Sequence, residues 1–494
     1  MNNQEILQDW EFKLSAYSLL LSTAYFDSST IAPKDGGEYR NARIAYITGE
    51  AYNIQTDPEI IKVLEALNQD ANLDGDTKKK VELYLKDAEM LRKIPKEFYM
   101  QYQELLMNAQ DKWEEAKEKK DYQIFEPYLK RIIEAKREII KYRDPNGNYD
   151  ILLDDYEPGM NMAKYDEFFN LIKEELLPLI KEIANRQDLI DDSYIYDYYA
   201  ADKQALLMEE IKAYLGFDKA WGYMGESVHP FTSGFSNNDV RVTTAYDEHN
   251  ISSSIYSIVH EVGHGFYEHQ MDSKYDGTIL KAVSSGMHES ESRLFENYLG
   301  RTKEFVSNFY PKLQELFPDN LASIDIDTFI RAINVSRPSL VRTDADELTY
   351  PIHILIRYEF EKALMNGSVS LDNLDQKWNQ YYKDYLGVEV SDAAKGILQD
   401  VHWAGGDFGY FPTYALGSAI AAQIIYKMGQ DFNYKEKMAN GEFKVITDYL
   451  RDNIQKYGAR YNMNEILLKA TGEEFNPHYY IDYLKDKFSK LYQI

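Results

Sequence analysis

The chain has 494 residues, with 82 acidic against 55 basic side chains and a formal net charge of −27. That balance argues against nucleic acid and anionic membrane as main partners, because both recruit a cationic surface. Cysteine is absent, which excludes disulfides, thiol catalysis, iron–sulfur clusters and thiolate-ligated zinc, so any metal must sit on histidine and carboxylate.

The opening segment, MNNQEILQDWEFKLSAYSLLLSTAYF, has no basic leader and only a short apolar stretch from Ala16 to Leu21. No later run approaches the roughly 18 to 20 apolar residues that span a bilayer, so a cytoplasmic, non-membrane protein is expected. Glycine and proline number only 26 and 14, which favours long helices over many short strands. Residues from about 37 to 142 read as successive charged helices. Ile60, Val63, Leu64 and Leu67 form an apolar stripe at helical spacing, as do Val81, Leu83, Tyr84 and Ala88 less cleanly. The charged run from Asp111 to Tyr122 reads as a solvated helix face. Turn residues follow at Asp144-Pro145-Asn146-Gly147-Asn148 and Glu157-Pro158-Gly159, and helical patterning then resumes to about 215. Between 227 and 246 the pattern changes: residues 229–232 and 240–244 read as two short strands, around Ser233-Gly234 and Asn237-Asn238. Helices dominate from there on. With no repeat, low-complexity tract or linker, the expectation is mainly α: one helical body over 1–494 with a very small β-sheet near 227–246.

The histidines locate the chemistry. The nine are His229, His249, His260, His264, His269, His288, His353, His402 and His478. None precedes 229, and imidazole is both the commonest metal ligand and the usual acid–base group near neutral pH. His260-Glu261-Val262-Gly263-His264 is an H-E-x-x-H sequence. On a helix its two imidazoles lie one turn apart on one face and can share a zinc ion, while Glu261 lies about 100° round, placed to act on an attacking water. Ile255, Ile258, Val259, Val262 and Phe266 supply an apolar helical stripe, and Ser252 to Ser254 offer N-caps. Gly263 and Gly265 each cost about 1 kcal/mol in a helix interior, so their presence beside the histidines suggests close backbone packing or ligand access.

A catalytic zinc usually keeps three protein ligands and one open position. Tyr267 and Gln270 stand where a Gly and a third His would extend the motif in metzincins, and His269 points elsewhere on the helix, with a structural or surface role expected. The remaining candidates are carboxylates from a second helix, Glu289 or Glu291. These lie about 200° apart round such a helix, so only one can face the metal, and spacing does not choose between them.

At this point the chain resembles the carboxypeptidase Taq family, the M32 zinc carboxypeptidases. Asp239-Val-Arg241-Val-Thr243 is similar to its D-x-R-x-T element, His288-Glu289-Ser290 to H-E-S, Val341-Arg342-Thr-Asp-Ala345-Asp346 to I/V-R-x-x-A-D, and Gly396-Ile-Leu-Gln399-Asp400-Val-His402-Trp403 to G-x-x-Q-D-x-H-W. The stretches from Leu152 to Met160 and from Phe408 to Tyr414 also look typical, and Phe26-Asp27 stands where a Trp-Asp pair is common. The likeness covers most of the chain and is strongest from 229 to 417. It implies His260, His264 and Glu289 as zinc ligands, with cobalt a possible replacement, and Glu261 as general base. It further implies a homodimer and a helical zincin-type body with a deep, narrow groove, one wall or lid coming from about 1–225, a catalytic part from 226–425 and C-terminal helices from 426–494. Two departures, Glu291 where Gln is common and Asp407 where a small polar residue is common, each add a negative charge.

The activity so implied is hydrolysis of the C-terminal bond of peptides with a free C-terminus. His288, His402, Tyr410 and Tyr414 are the candidate donors to the oxyanion. Arg342, and after it Arg241, are candidates for the substrate carboxylate, because the guanidinium fork suits it. Their bland alternative is an ion pair, Arg342 with Asp344 or Asp346 and Arg241 with Asp239. His353 is expected to be structural, and the glycines near 405–409 lack the residues of a phosphate loop. A zinc oligopeptidase cutting internal bonds and a non-enzymatic helical metal-binding protein are the alternative functions.

Overall fold

A computed structural model describes residues 1–494, apart from the side chain of Lys34. Helices follow one another along almost the whole chain, and the only sheet among the described residues has three short strands. No helix is long and apolar enough to cross a membrane.

The first helix (Asn3–Thr30) lies against Gly37–Gln55 and Pro58–Asn68, and Gly75–Arg92 closes the group. Ile60, Leu64 and Leu67 of the expected stripe are buried with Val81, Tyr84, Leu7 and Trp10 in a small apolar cluster of their own. Burying each of these large side chains contributes roughly 1.5–3 kcal/mol. Asp57 caps the third helix by accepting from the Glu59 N–H, with Pro58 in the first turn, where its missing N–H costs nothing. Helix Gly37–Gln55, by contrast, buries none of its residues. A second, far larger apolar cluster runs from Tyr102 to Tyr492 and holds the rest of the molecule together. The 111–122 run is less solvated than expected, since Trp113, Ala116 and Tyr122 enter this cluster.

The sheet differs in detail from its expectation. β1 is Gly222–Glu226, β2 Thr232–Ser236 and β3 Asp239–Thr244, in the order β1-β3-β2, with β1 parallel and β2 antiparallel to β3. β1 escapes a reading by pattern because it is Gly-Tyr-Met-Gly-Glu, with two glycines and no alternation. His229 to Phe231 precede β2 instead of forming a strand. Asn237-Asn238 make the hairpin turn, whereas Ser233-Gly234 lie inside β2, at a register irregularity. A Cβ at Gly234 would come within 2.1 Å of Glu268 Oε2, so this glycine marks a close approach.

Val240 and Val242 of β3 pack on the helix Ile251–Gln270, which carries the H-E-x-x-H sequence. Its apolar stripe, Ile255, Ile258, Val259, Val262 and Phe266, is wholly buried. The N-cap is Asn250, not one of the serines: its side chain accepts from the Ser253 N–H, and Ser254 instead accepts from the Asp247 N–H. A second helix, Ser285–Arg293, crosses closely and runs on through a π-helical segment, Leu294–Leu299. A third, Pro412–Asp431, is buried over most of its length and packs on the second.

Candidate active site

The two crossing helices bring His260, His264 and Glu289 together. Each offers one ligand atom within 4.8 Å of the others, and Glu289 Oε2 lies 3.8 Å from His260 Nε2 and 3.4 Å from His264 Nε2. Glycine makes the approach possible. A Cβ at Gly263 would sit 2.8 Å from the Glu291 carbonyl oxygen and from Ser292 Cα, and one at Gly417 would sit 2.7 Å from Glu289 Cγ. Gly263 thus answers to close packing, while the contacts at Gly265 are ordinary, 3.4 Å to Phe217 and Val242.

This donor set fits a metal ion. His260 Nδ1 is 2.9 Å from Glu296 Oε2 and His264 Nδ1 is 2.6 Å from His288 Nδ1. With both Nδ1 atoms engaged, the Nε2 atoms are the ones left to face Glu289. Holding the proton on His264 Nδ1 makes it the donor to His288, whose Nε2–H then donates to Glu268 Oε1 at 3.0 Å, a support of the kind that fixes the tautomer of metal-binding histidines. Burial, with His288 and His260 close by, pushes His264 down to about 4, so it is neutral at neutral pH. Burial works to raise Glu289, but Arg293, His260 and His264 outweigh it and hold the carboxylate ionised. Neutral imidazole and ionised carboxylate are the ligand forms a metal requires.

Glu261 is only 7 % exposed. Burial raises its pKa, opposed by the charge of His260 and by the Thr232 hydroxyl, which donates to Oε2 at 2.6 Å. A groove of about 610 Å³ opens onto His260 and Glu261 and extends past Arg293, Ser339 and Tyr350 to Arg342 and Asp344. Arg342 is paired, but with Asp400, not with Asp344 or Asp346: Nε and Nη2 donate to Asp400 Oδ1 at 3.0 and 2.8 Å, and Nη1 donates to the Tyr350 hydroxyl at 3.1 Å. Arg357 holds the other oxygen of the same Asp400. One carboxylate thus serves two guanidiniums, and of Arg342's five N–H groups two are left over.

The other expected residues divide. Tyr414 lies beneath the Arg342 guanidinium at 4.9 Å, its hydroxyl is 3.1 Å from His402 Nε2, and Tyr410 packs edge-on against it at 5.2 Å. Burial pushes His402 down to about 4 and Tyr410 up to about 12, leaving both neutral, and it holds Tyr414 above its usual range. His288 stands apart from them, with both ring nitrogens occupied behind His264, so it is not free to donate to an oxyanion. Arg241 is paired with Asp239 through two bonds of 2.8 and 2.7 Å and stacks on Phe235. Thr232 is paired opposite Val242 and Ser233 opposite Arg241, so Arg241 projects from the sheet face away from Thr232 and Glu261. His269 stacks on Trp221 and His353 is buried against Tyr382; both are structural. Glu291 faces Gln455, away from the histidines, and burial pushes it up to about 8, which works against the expected extra charge. Asp407 accepts from the Tyr156 hydroxyl, and burial raises it as well.

Several contributors were not singled out from the sequence: Thr232, Glu268, Glu296, Arg293 and Asp400. Glu268 carried a readable signal, since it follows His264 by one helical turn. Arg293 carried the same signal, one helical turn after Glu289, whereas Thr232, Glu296 and Asp400 depend on which elements meet.

Comparison with known proteins places the whole chain in one family. The family model for carboxypeptidase Taq (M32) metallopeptidases matches residues 7–488. Carboxypeptidase 1 of Bacillus subtilis is 43 % identical over 484 residues, covering 97 % of each chain. The structure of a Pyrococcus furiosus carboxypeptidase superposes with a TM-score of 0.95 at 32 % identity, over 98 % of each chain. An M32 carboxypeptidase from Deinococcus radiodurans gives 0.95 at 28 %, over 99 % of each chain. The chain belongs to the carboxypeptidase Taq (M32) family and, with two histidines and a glutamate gathered for a metal at the edge of a groove, is a metallocarboxypeptidase.

Proposed function

We propose that the metal is zinc, with cobalt as a replacement, held by His260, His264 and Glu289, and that the enzyme removes single residues from the free C-terminus of peptides. When bound, zinc acidifies water and polarises a carbonyl. The chain's own residues do the rest. Glu261 takes the proton of the attacking water and passes it to the departing amine, its Oε2 steadied by Thr232 so that Oε1 remains for the proton. Tyr410, Tyr414 and His402, neutral and half-buried, are the donors proposed for the developing oxyanion, and Arg342 offers its two spare N–H groups to the terminal carboxylate. The observation that carries this reading is a single groove reaching from His260 and Glu261 to Arg342. Arg241, committed to Asp239 on the other sheet face, is the weaker candidate. By family likeness the working unit is proposed to be a cytoplasmic homodimer, with N-terminal helices forming one groove wall.

The test is an N-blocked peptide, supplied as free acid and as C-terminal amide, with products followed by mass. The acid should lose residues stepwise from its C-terminus and the amide should be cut far more slowly. Internal fragments, or equal rates on acid and amide, would refute it.

A further inference from the structure

Glu289 has two carboxylate oxygens, and only Oε2 faces His260 and His264. Oε1 accepts from Arg293 Nε at 2.6 Å. The same guanidinium donates through Nη1 to Glu296 Oε2 at 3.1 Å, and that oxygen is the one 2.9 Å from His260 Nδ1. One face of Arg293 lies on the Tyr350 ring at 4.2 Å, and the Tyr350 hydroxyl accepts from Arg342. Arg293 therefore touches the carboxylate of one metal-facing residue, the carboxylate that orients another, and the aromatic ring leading to Arg342. We infer that Arg293 is the positioning residue of the metal site, occupying one oxygen of Glu289 so that the other is presented, and locking Glu296, and through it His260, into the same frame.

This rests on the proposed ligand set. It also explains why arginine stands here. Two carboxylates met at fixed angles, together with a stacked ring, need a planar fork; an ammonium keeps the charge but lacks the geometry. Arg293→Lys therefore isolates orientation from charge. It does not touch the face of Glu289 turned to the histidines, and its effect is read on metal binding itself. Other groups close to the guanidinium are Arg301, which reaches Glu296 at 3.6 Å, and Ser292, whose hydroxyl donates to Glu289 Oε2 at 3.1 Å; neither bonds both carboxylates.

The experiment measures zinc affinity by chelator competition and the visible absorption of the cobalt-loaded protein, for the wild type, R293K, Tyr350→Leu and Glu289→Ala. R293K should bind zinc about 10- to 100-fold more weakly, as losses of outer partners do, and its cobalt bands should shift in position and intensity. Y350L, which removes the stacking platform without touching either carboxylate, should shift both readouts in the same direction to a smaller extent; it also serves if a melt shows R293K unfolded. Wild-type affinity and an unchanged cobalt spectrum in a folded R293K, or in Y350L where R293K does not fold, would overturn the inference. Undiminished affinity in E289A would instead overturn the ligand set on which it rests.

Discussion

Glu289 and Glu291 are two positions apart on one helix, yet one is held ionised beside the histidines and the other is pushed by burial toward its neutral form against Gln455. The sequence shows that only one of them can face a metal, because helical geometry separates them by about 200°. It does not show which, because the phase of that helix is set by Gly263 passing under the Glu291 carbonyl, a tertiary contact. Glu261 is the proposed general base, and Glu261→Gln tests it. The amide keeps an oxygen for the Thr232 hydroxyl but cannot carry the proton. Metal content should be unchanged while kcat falls about 10²- to 10⁴-fold; wild-type turnover would refute the assignment. Glu157 gives a second residue-scale prediction. It lies in the acidic turn, fully buried, accepts from the Gly286 N–H at 2.9 Å at the start of the Glu289 helix, and is pushed by burial from 4.5 up to about 7. A carboxyl raised on folding contributes stability that is complete below about 4.5 and lost as pH rises through 7. On the order of 3 kcal/mol should disappear over that window. Because His264 and His402, both pushed down by burial, work in the opposite direction over the same range, the readout is the difference between two proteins: in melts of the metal-free forms, the wild type should lose stability relative to Glu157→Gln as pH rises from 4.5 to 7, and a pH-independent difference would refute the assignment.

At the scale of elements, the helices were legible and their meetings were not. The stripes at Ile60–Leu67 and Ile255–Phe266 declare helices because their apolar residues recur at the helical period. β1 has no such pattern and exists because β3 offers it an edge. The crossing of the helices Ile251–Gln270 and Ser285–Arg293 was hinted at only by two costly glycines, and the structure distinguishes them. Gly263→Ala would drive a Cβ to 2.8 Å from backbone atoms that cannot swing aside. The resulting strain, about 1–3 kcal/mol, offsets or exceeds the roughly 1 kcal/mol that alanine adds to helix propensity. G263A should therefore hold zinc more weakly than the wild type and gain no stability. Gly265→Ala, meeting neighbours at 3.4 Å, should keep its zinc affinity and melt at the same or a higher temperature. Equal zinc affinities for the two variants would show that the crossing does not govern the site.

At the scale of the whole molecule, composition foretold a helical protein without thiols, but not that its first four helices would keep a small core apart from the main one. Their stripes look like any others, and only the contacts separate them. The charge was legible from the start, and its consequence lies in the two arginines that share Asp400. That buried trio carries one net positive charge inside a chain of −27. A peptide carrying acidic side chains is repelled on approach over distances that dissolved ions screen, whereas the terminal carboxylate, on the proposed reading, meets Arg342 at contact range, where they hardly act. Added salt should therefore raise kcat/KM for acidic peptides and lower it for basic ones, with kcat nearly constant for both; salt-independent kcat/KM for the two classes would contradict it. If Arg342 holds the terminal carboxylate as proposed, the local site and the overall charge act at different moments, the surface sorting peptides during diffusion and the trio reading only their ends, so that ionic strength becomes a selector of substrates that leaves the chemical step untouched.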